Sequence, residues 1–102
     1  MAIVRDSNWR QVGEIEDNTI RDAHFEEVGV ADGTVFKDRD GFEVGLLKNK
    51  EICDRDGFKL AELDGNDIRD LSWNKLGEID GDATDSQKAA AAYLLLLYKP
   101  FR

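Results

Sequence analysis

The sequence predicts a mainly β domain of five 16-residue, two-stranded repeats around a pseudo-five-fold axis, followed by one C-terminal α-helix. Apolar residues return every 16 positions from residue 1 to residue 83 without insertion or deletion, and residues 89–98 form an unbroken apolar run. A fixed period is the signature of a repeat architecture. We expect the 102 residues to form a single domain, with the repeats in residues 1–83 and the helix and tail in residues 84–102.

Three apolar columns define the repeat, each with one member in every unit. A shared frame of three columns is not a chance pattern, and it fixes the repeat unit at 16 residues. The members are Val4, Ile20, Phe36, Ile52 and Ile68 in the first column, Val12, Val28, Val44, Leu60 and Leu76 in the second, and Ile15, Ala31, Leu47, Leu63 and Ile79 in the third.

Turn chemistry divides each unit into two short extended stretches. In the third unit, Asp32 and Gly33 precede the first stretch, and residues 38–41 (Asp-Arg-Asp-Gly) separate it from the second. Asp-Gly pairs beside β-branched residues favour hairpins. No stretch before Ala83 is long enough and free enough of such breaks to form a helix.

The second and third apolar columns have opposite parity, so a regular strand would place one of them on the wrong face. The small residue between them suggests a β-bulge that restores both to the core. Alanine tolerates positive φ poorly, so Ala61 in this column indicates a need for close packing rather than for a left-handed backbone. The column consists of Gly13, Gly29, Gly45, Ala61 and Gly77.

An aspartate recurs once per unit, at Asp6, Asp22, Asp38, Asp54 and Asp70. We interpret these residues as structural turn residues, because an aspartate that opens a turn accepts hydrogen bonds from backbone N–H groups two or more residues later. The alternative is a cation site such as a calcium site, for which Asp38 with Asp40 and Asp54 with Asp56 are the candidates. No unit has the full calcium-loop spacing, so we expect no metal and no cofactor.

Basic and aromatic residues form two further columns. The basic column, which Cys53 interrupts, predicts surface ion pairs with Glu14, Glu62 and Glu78 as cross-strand partners. Each unit carries one aromatic ring near its first turn, and we expect that ring to pack against the turn. If the rings are exposed instead, the two tryptophans would suit a carbohydrate or a peptide. The basic column is Arg5, Arg21, Lys37 and Arg69, and the aromatic residues are Trp9, Phe25, Phe42, Phe58 and Trp73.

Charge and single residues limit the possible partners. The net charge of −8 repels nucleic-acid phosphate and anionic lipid, so we expect neither nucleic acid nor membrane as a partner. Cys53 is the only cysteine and is interpreted as a packing residue. His24 lies in a polar turn column without an evident catalytic partner. Residues 1–8 contain no apolar signal-peptide core, which favours a cytoplasmic location.

The C-terminal segment predicts the single helix, over about residues 86–98. Residues 84–87 supply capping groups, and Lys99 and Pro100 end the apolar run. Ten apolar residues span about 15 Å, half of a bilayer core, so a membrane crossing is excluded. If a disc of repeats covers one helix face, the rest forms an interface. The competing possibility is that the ring of repeats wraps the helix completely. The expected interface residues are Tyr93, Leu94, Leu95, Leu96, Leu97 and Tyr98.

The aspartate turns, the Val-Gly-x-Ile strands, the Asp-Gly junctions and the alanine- and leucine-rich helix together resemble the five-fold β-flower family of small bacterial repeat proteins. That resemblance covers nearly the whole chain and implies hairpin-like units around a pseudo-five-fold axis. It implies no functional residue. The competing architecture is a short β-solenoid with a helical cap.

Three function classes follow from these patterns. The favoured one is an interaction module that self-associates as a homo-oligomer, or docks a protein partner, through its apolar helix. The alternative is a ligand-binding module for a cation or a glycan that uses the aspartate and aromatic columns. The chain is not expected to be an enzyme, because no catalytic triad, phosphate-binding loop or metal-ligand motif occurs in the sequence.

Overall fold

The computed structural model describes residues 1–98, which form ten antiparallel strands and a C-terminal helical segment. The strands close into a barrel in which β1 pairs with both β2 and β10. This confirms a mainly β fold, and the antiparallel closure excludes the solenoid. The strands are β1 (Ala2–Asp6), β2 (Gln11–Glu16), β3 (Thr19–Asp22), β4 (Glu27–Asp32), β5 (Val35–Asp38), β6 (Glu43–Lys48), β7 (Glu51–Asp54), β8 (Lys59–Asp64), β9 (Asp67–Asp70) and β10 (Lys75–Gly81).

A β-bulge interrupts five of the ten strand pairs, and it lies at the second apolar column. Val4 faces Gly13 and the next residue, Arg5, faces Gln11, so Val12 is the extra residue. The same shift occurs at Val28, Val44, Leu60 and Leu76. The bulge resolves the parity conflict between the columns, since the bulged residue and the small residue after it can then lie on the same, inward face.

The barrel interior is built from the first and third apolar columns. Every residue of the first column is fully buried, and no residue of the third is more than 9% exposed. In the second column, Val28 and Val44 are buried, whereas Val12, Leu60 and Leu76 are partly buried against the same core. The bulged position therefore lies at the margin of the core.

The helix begins at one end of the barrel, beside the short turns that join even strands to odd ones. Helix α1 (Asp85–Ala91) has a capping box, in which Thr84 and Gln87 exchange hydrogen bonds. The Gln87 side-chain amide also donates to the Asp17 carbonyl, and Lys88 donates to the carbonyl of Gly65. These bonds fix the start of the helix to the barrel wall. We call this end the turn end.

Inside the barrel the helix widens into a π-helical segment, Ala92–Leu97. Its successive side chains approach the small-residue column of successive units. A Cβ atom added at Gly29 would clash with the Lys37 carbonyl oxygen and Leu94, and one at Gly13 would meet Leu95. Tyr93 lies against Gly45 and Leu96 against Gly77 in the same way. These four glycines do not have positive φ, so the column serves close packing.

The π-helical geometry matches the barrel. An α-helix turns about 100° per residue. A π-helix, with its wider i→i+5 ring, turns less per residue. Consecutive residues can therefore contact consecutive units, as residues 93–96 do.

The helix lies at the centre of the core, as in the alternative in which the repeats wrap it, and the expected exposed patch is wrong for Tyr93, Leu94 and Leu95. Residues 89–92 and Leu94 are completely buried, and Tyr93 and Leu95 are 6% and 7% exposed. The strands surround the helix because the small-residue column leaves room for it within a ten-stranded barrel. Of the predicted interface residues, Leu96 and Leu97 are half-buried and Tyr98 is exposed. Lys99 and Pro100, predicted to end the run, lie outside the described residues.

Within residues 1–98, no helix is long and apolar enough to cross a membrane.

Substitution of Gly29 by alanine should destabilise the fold, because the added methyl group would clash with a backbone carbonyl on one side and Leu94 on the other. We expect the free energy of unfolding to fall by about 1–3 kcal/mol, as for other overpacked cores. Gly33→Asn is the matched control, since Asn49 adopts the same left-handed conformation one unit later. Urea denaturation measures both, and equal stability of Gly29→Ala and the wild type would contradict close packing.

Leu94→Ala should cost about 3 kcal/mol of unfolding free energy, because the side chain is completely buried in the chain's own core. Leu71→Ala, at an exposed leucine, should change it by less than about 0.5 kcal/mol. If the helix were instead the interface of a dimer, the midpoint of thermal unfolding would rise with protein concentration. Melting curves over a hundredfold concentration range, about 1–100 µM, distinguish the two.

Candidate functional site

Five loops of matching geometry form the end of the barrel opposite the turn end, and we call it the loop end. Each loop, at residues 6–10, 22–26, 38–42, 54–58 and 70–74, begins with an aspartate of the recurring column. In the third loop, Asp38 Oδ1 accepts hydrogen bonds from the backbone N–H groups of Asp40 and Phe42, at 2.9 and 3.0 Å. The structure places Asp6, Asp22, Asp54 and Asp70 in the same pair of bonds.

These bonds hold the loops in shape, and in the first loop they also lower the pKa of the aspartate. The backbone N–H of Arg10 is the main cause that lowers the pKa of Asp6, and the N–H of Asn8 adds to it. Two backbone bonds also close each loop, as in the third, where Asp38 N–H donates to the Phe42 carbonyl and Gly41 N–H to the Asp38 carbonyl. The five aspartates are therefore part of the loop framework.

The fourth residue of every loop has a left-handed backbone. In the third and fourth loops it is glycine, Gly41 and Gly57, which adopts this conformation without strain. In the other loops it is Trp9, Phe25 or Trp73, with φ between 65° and 67°. Bulky residues seldom adopt positive φ, so these three need local support.

An arginine supplies that support. Arg5 donates to the carbonyl of Trp9 and places its guanidinium 5.0 Å from the indole centroid. Arg69 relates to Trp73 in the same way, at 5.4 Å. Arg21 donates to the Phe25 carbonyl. The two units with glycine at this position have Lys37 and Cys53 where the others have arginine, so an aromatic residue at the left-handed position accompanies an arginine.

The aromatic rings are exposed, and the expectation that they pack against the turns is wrong. Their exposed fractions range from 51% for Trp73 to 69% for Phe58. The left-handed backbone and the arginine hold the tryptophans on the outer side of the loop end, away from the core. We call the five rings the aromatic rim, which consists of Trp9, Phe25, Phe42, Phe58 and Trp73.

The basic column forms ion pairs, but its main partners differ from those predicted. Lys37 pairs with Asp32 at 2.9 Å and Arg69 with Asp64 at 3.0 Å, while Arg5 and Arg21 lie 3.6 and 3.8 Å from Asp80 and Glu16. Glu16, Asp32 and Asp64 end the preceding even strand, and Asp80 is the next-to-last residue of β10, which pairs with β1. Glu62 and Glu78 pair instead with Lys59 and Lys75. A single-sequence pattern does not reveal this pairing, because it depends on strand tilt in the closed barrel.

Cys53 replaces the basic residue in the fourth unit, and Lys48 replaces the acid that would pair with it. The cysteine is 1% exposed although it lies in the outward-facing column. Burial is the main cause that raises the pKa of its thiol, which disfavours the reactive thiolate. These properties suit the packing role expected for Cys53.

Clefts lie between neighbouring loops, and helix side chains form their floors. The cleft between the first and second loops has a volume of about 480 Å³, and Asp6, Arg10, Asp22 and His24 line it above Leu95. A cleft of about 290 Å³ on the other side of the first loop has Leu96 as its floor. The cleft between the third and fourth loops measures about 430 Å³ and has Tyr93 and Tyr98 as its floor.

Sequence reasoning did not identify these clefts. The structure brings His24 into one of them, and Asp38, Asp54 and Asp56 into another with the two tyrosines. The sequence predicts an exposed interface for the tyrosines, and no local pattern indicates which loops they face. Within residues 1–98, no group of three or more His, Cys, Asp and Glu side chains is arranged to hold a metal ion.

Neither a protein-family model, nor a curated protein, nor a solved structure matches this chain.

Asp70→Ala should lower the free energy of unfolding by about 1–2 kcal/mol, because it removes the acceptor of two backbone N–H groups in the fifth loop. Ser72→Ala, in the same loop, is the control and should be neutral within about 0.5 kcal/mol. Chemical denaturation gives both values. No loss of stability in Asp70→Ala would show that the aspartates do not support the loops.

Proposed function

We propose that this chain is a non-catalytic binding module that docks a partner protein against the aromatic rim. The proposal includes the arrangement of the five units as equivalent copies about a pseudo-five-fold axis, so that each presents one ring. The observation that carries it is the exposure of all five rings, each more than half exposed, on loops of one geometry at one end of the barrel.

Several features of the rim suit protein recognition. Tryptophan, tyrosine and arginine contribute most often to binding energy at protein interfaces, and the rim places Arg5 against Trp9 and Arg69 against Trp73. The loops are held by internal hydrogen bonds before any partner arrives. Pre-formed loops reduce the ordering cost of association. Strained backbone conformations cluster at functional sites. The positive φ of Trp9 and Trp73 supports a binding role for their rings.

Charge indicates the kind of partner. The chain carries 22 acidic and 14 basic side chains, a net charge of −8. A protein with a basic surface would be attracted at long range and would not be repelled on contact. We therefore propose a basic partner, recognised by aromatic contacts at the rim and by the carboxylates between the loops.

A glycan ligand is the second candidate. A guanidinium lies against each tryptophan ring, yet Trp9 and Trp73 remain 56% and 51% exposed. An exposed aromatic face can stack on a sugar ring. The polar groups beside it can form hydrogen bonds with the sugar's hydroxyl groups. One ring per loop would then give a multivalent surface for a repeating glycan.

Little of the helix surface is exposed for self-association. The barrel buries Leu94 and most of Tyr93 and Leu95, which leaves Leu96, Leu97 and Tyr98 near the loop end. A homo-oligomer joined there would occupy the same end as the proposed partner. Light scattering of the wild-type chain tests for this homo-oligomer, because a monomer has a mass of 11.5 kDa and an oligomer a multiple of it.

Removal of the two tryptophan rings should weaken binding strongly without unfolding the protein. Trp9→Gly with Trp73→Gly is suitable, because Gly41 and Gly57 already occupy the same left-handed position in two loops. The test is selection from a displayed peptide library, with a glycan array in parallel. We expect enrichment of basic peptides by the wild type and at least about tenfold weaker binding of those peptides by the glycine variant.

Trp9→Phe with Trp73→Phe is the matched control, since Phe25 holds the equivalent position in the second loop. It should retain most of the binding. Enrichment on the glycan array alone would replace the protein partner with a glycan. Peptide binding that is equal in the wild type and the glycine variant would exclude the aromatic rim as the site.

A further inference from the structure

We propose that the cleft between the third and fourth loops binds a guanidinium group, as carried by an arginine side chain of a ligand. This inference rests on the proposed function in that both place the ligand at the loop end, and it names the chemical group recognised there. Glu43, Asp38, Asp54, Asp56, Tyr93 and Tyr98 line this 430 Å³ cleft. We call it the acidic cleft.

The first observation is an unpartnered tyrosine hydroxyl on a largely buried side chain that lines the acidic cleft. Tyr93 is only 6% exposed and lines the cleft, and its hydroxyl forms no hydrogen bond with any other residue between 1 and 98. Burial raises the pKa of Tyr93, with a smaller contribution from the charge of Asp54. The hydroxyl therefore stays neutral and can accept a hydrogen bond from a cationic N–H group.

The second observation is an aromatic floor. The rings of Tyr93 and Tyr98 are stacked, with centroids 5.5 Å apart and planes inclined by 17°. Aromatic faces attract cations, and arginine in particular, because its planar guanidinium can stack on them. The two clefts beside the first loop have leucine floors, Leu95 and Leu96, which offer no such attraction.

The third observation is unused negative charge. Asp38 and Asp54 employ Oδ1 to hold their loops, and within the described chain their Oδ2 atoms have no hydrogen-bond partner. In the first and fifth loops the second oxygen is occupied, since Asp6 Oδ2 accepts from Arg10 and Asp70 Oδ2 from Asn74. Asp22 in the second loop uses Oδ1 alone, as Asp38 and Asp54 do.

Glu43 and Asp56 add two more carboxylates to the acidic cleft, and Arg55 is the single cation that lines it. Four carboxylates against one guanidinium leave a net negative cleft that favours a cationic ligand. A planar ligand cation can bond to two carboxylate oxygens at once while one face stacks on a tyrosine. An ammonium group lacks both the plane and the fork, so the geometry favours guanidinium over ammonium.

The test uses N-acetyl-arginine-N-methylamide as the probe and its neutral citrulline analogue as the reference. Two-dimensional NMR of the full chain follows amide shifts as each compound is added. We expect saturable shifts at Asp56, Tyr93 and Tyr98 with the arginine probe, and at least about tenfold weaker binding of the citrulline probe. The corresponding lysine probe should bind less tightly than arginine.

Two double variants separate the cleft from general charge effects. Glu43→Gln with Asp56→Asn should weaken the arginine probe at least about tenfold, because it removes two carboxylates that do not hold the loops. Glu27→Gln with Asp40→Asn changes the corresponding residues one unit earlier in the chain, and binding should stay within about twofold of the wild type. Tyr93→Phe removes only the hydroxyl and should weaken binding several-fold.

Three results would each contradict a guanidinium site in the acidic cleft: equal binding of the arginine and citrulline probes, equal effects of the two double variants, or no saturable shift. The proposed binding at the aromatic rim would still stand if the Trp9→Gly and Trp73→Gly variant no longer bound the selected peptides. Conversely, if the arginine probe binds in the cleft but peptide binding does not depend on the tryptophans, the rim proposal is wrong and the cleft proposal stands.

Discussion

The close approach of the C-terminal helix to the barrel wall is the contact on which the other features depend. A ring of ten strands encloses more space than its own side chains fill, and residues 89–95 occupy that space. The helix fits because the column of four glycines and Ala61 carries little or no side chain. A bulge beside each small residue keeps the flanking apolar residues directed inward. Helix, bulge and small residue thus form one packing arrangement.

This arrangement also determines the two ends of the barrel. The short turns hold the helix start through Gln87 and Lys88, so the helix must run toward the loops. Its last side chains then become the floors of the clefts between those loops. The identity of each floor follows from the order of residues 93–96 around the π-helical segment. The tyrosine floor and the leucine floors are therefore consequences of how the helix enters the barrel.

The loops separate a structural role from a binding role within 16 residues. The aspartate and the backbone bonds define the shape of each loop, whereas the aromatic residue contributes little to the core and remains exposed. An arginine compensates for a bulky residue at positive φ in Trp9 and Trp73, and glycine removes the need for it at Gly41 and Gly57. The loops thus present an exposed ring in two ways, either with an aromatic residue at the left-handed position or with glycine there and the aromatic residue next to it.

The sequence alone predicted the local structure: a period of 16, two strands per unit, a bulge beside a close-packed small residue, aspartate-opened turns and a terminal helix. These features depend on short-range properties such as φ preferences, turn hydrogen bonds and alternation along a strand. The burial of Leu94, the exposure of the aromatic rim, the pairing of Arg69 with Asp64 and the meeting of Tyr93 with Asp54 were decided only by the tertiary structure. Each of them depends on the closure of β1 onto β10 around the helix, and strand pairing between chain ends leaves no signal in a local pattern.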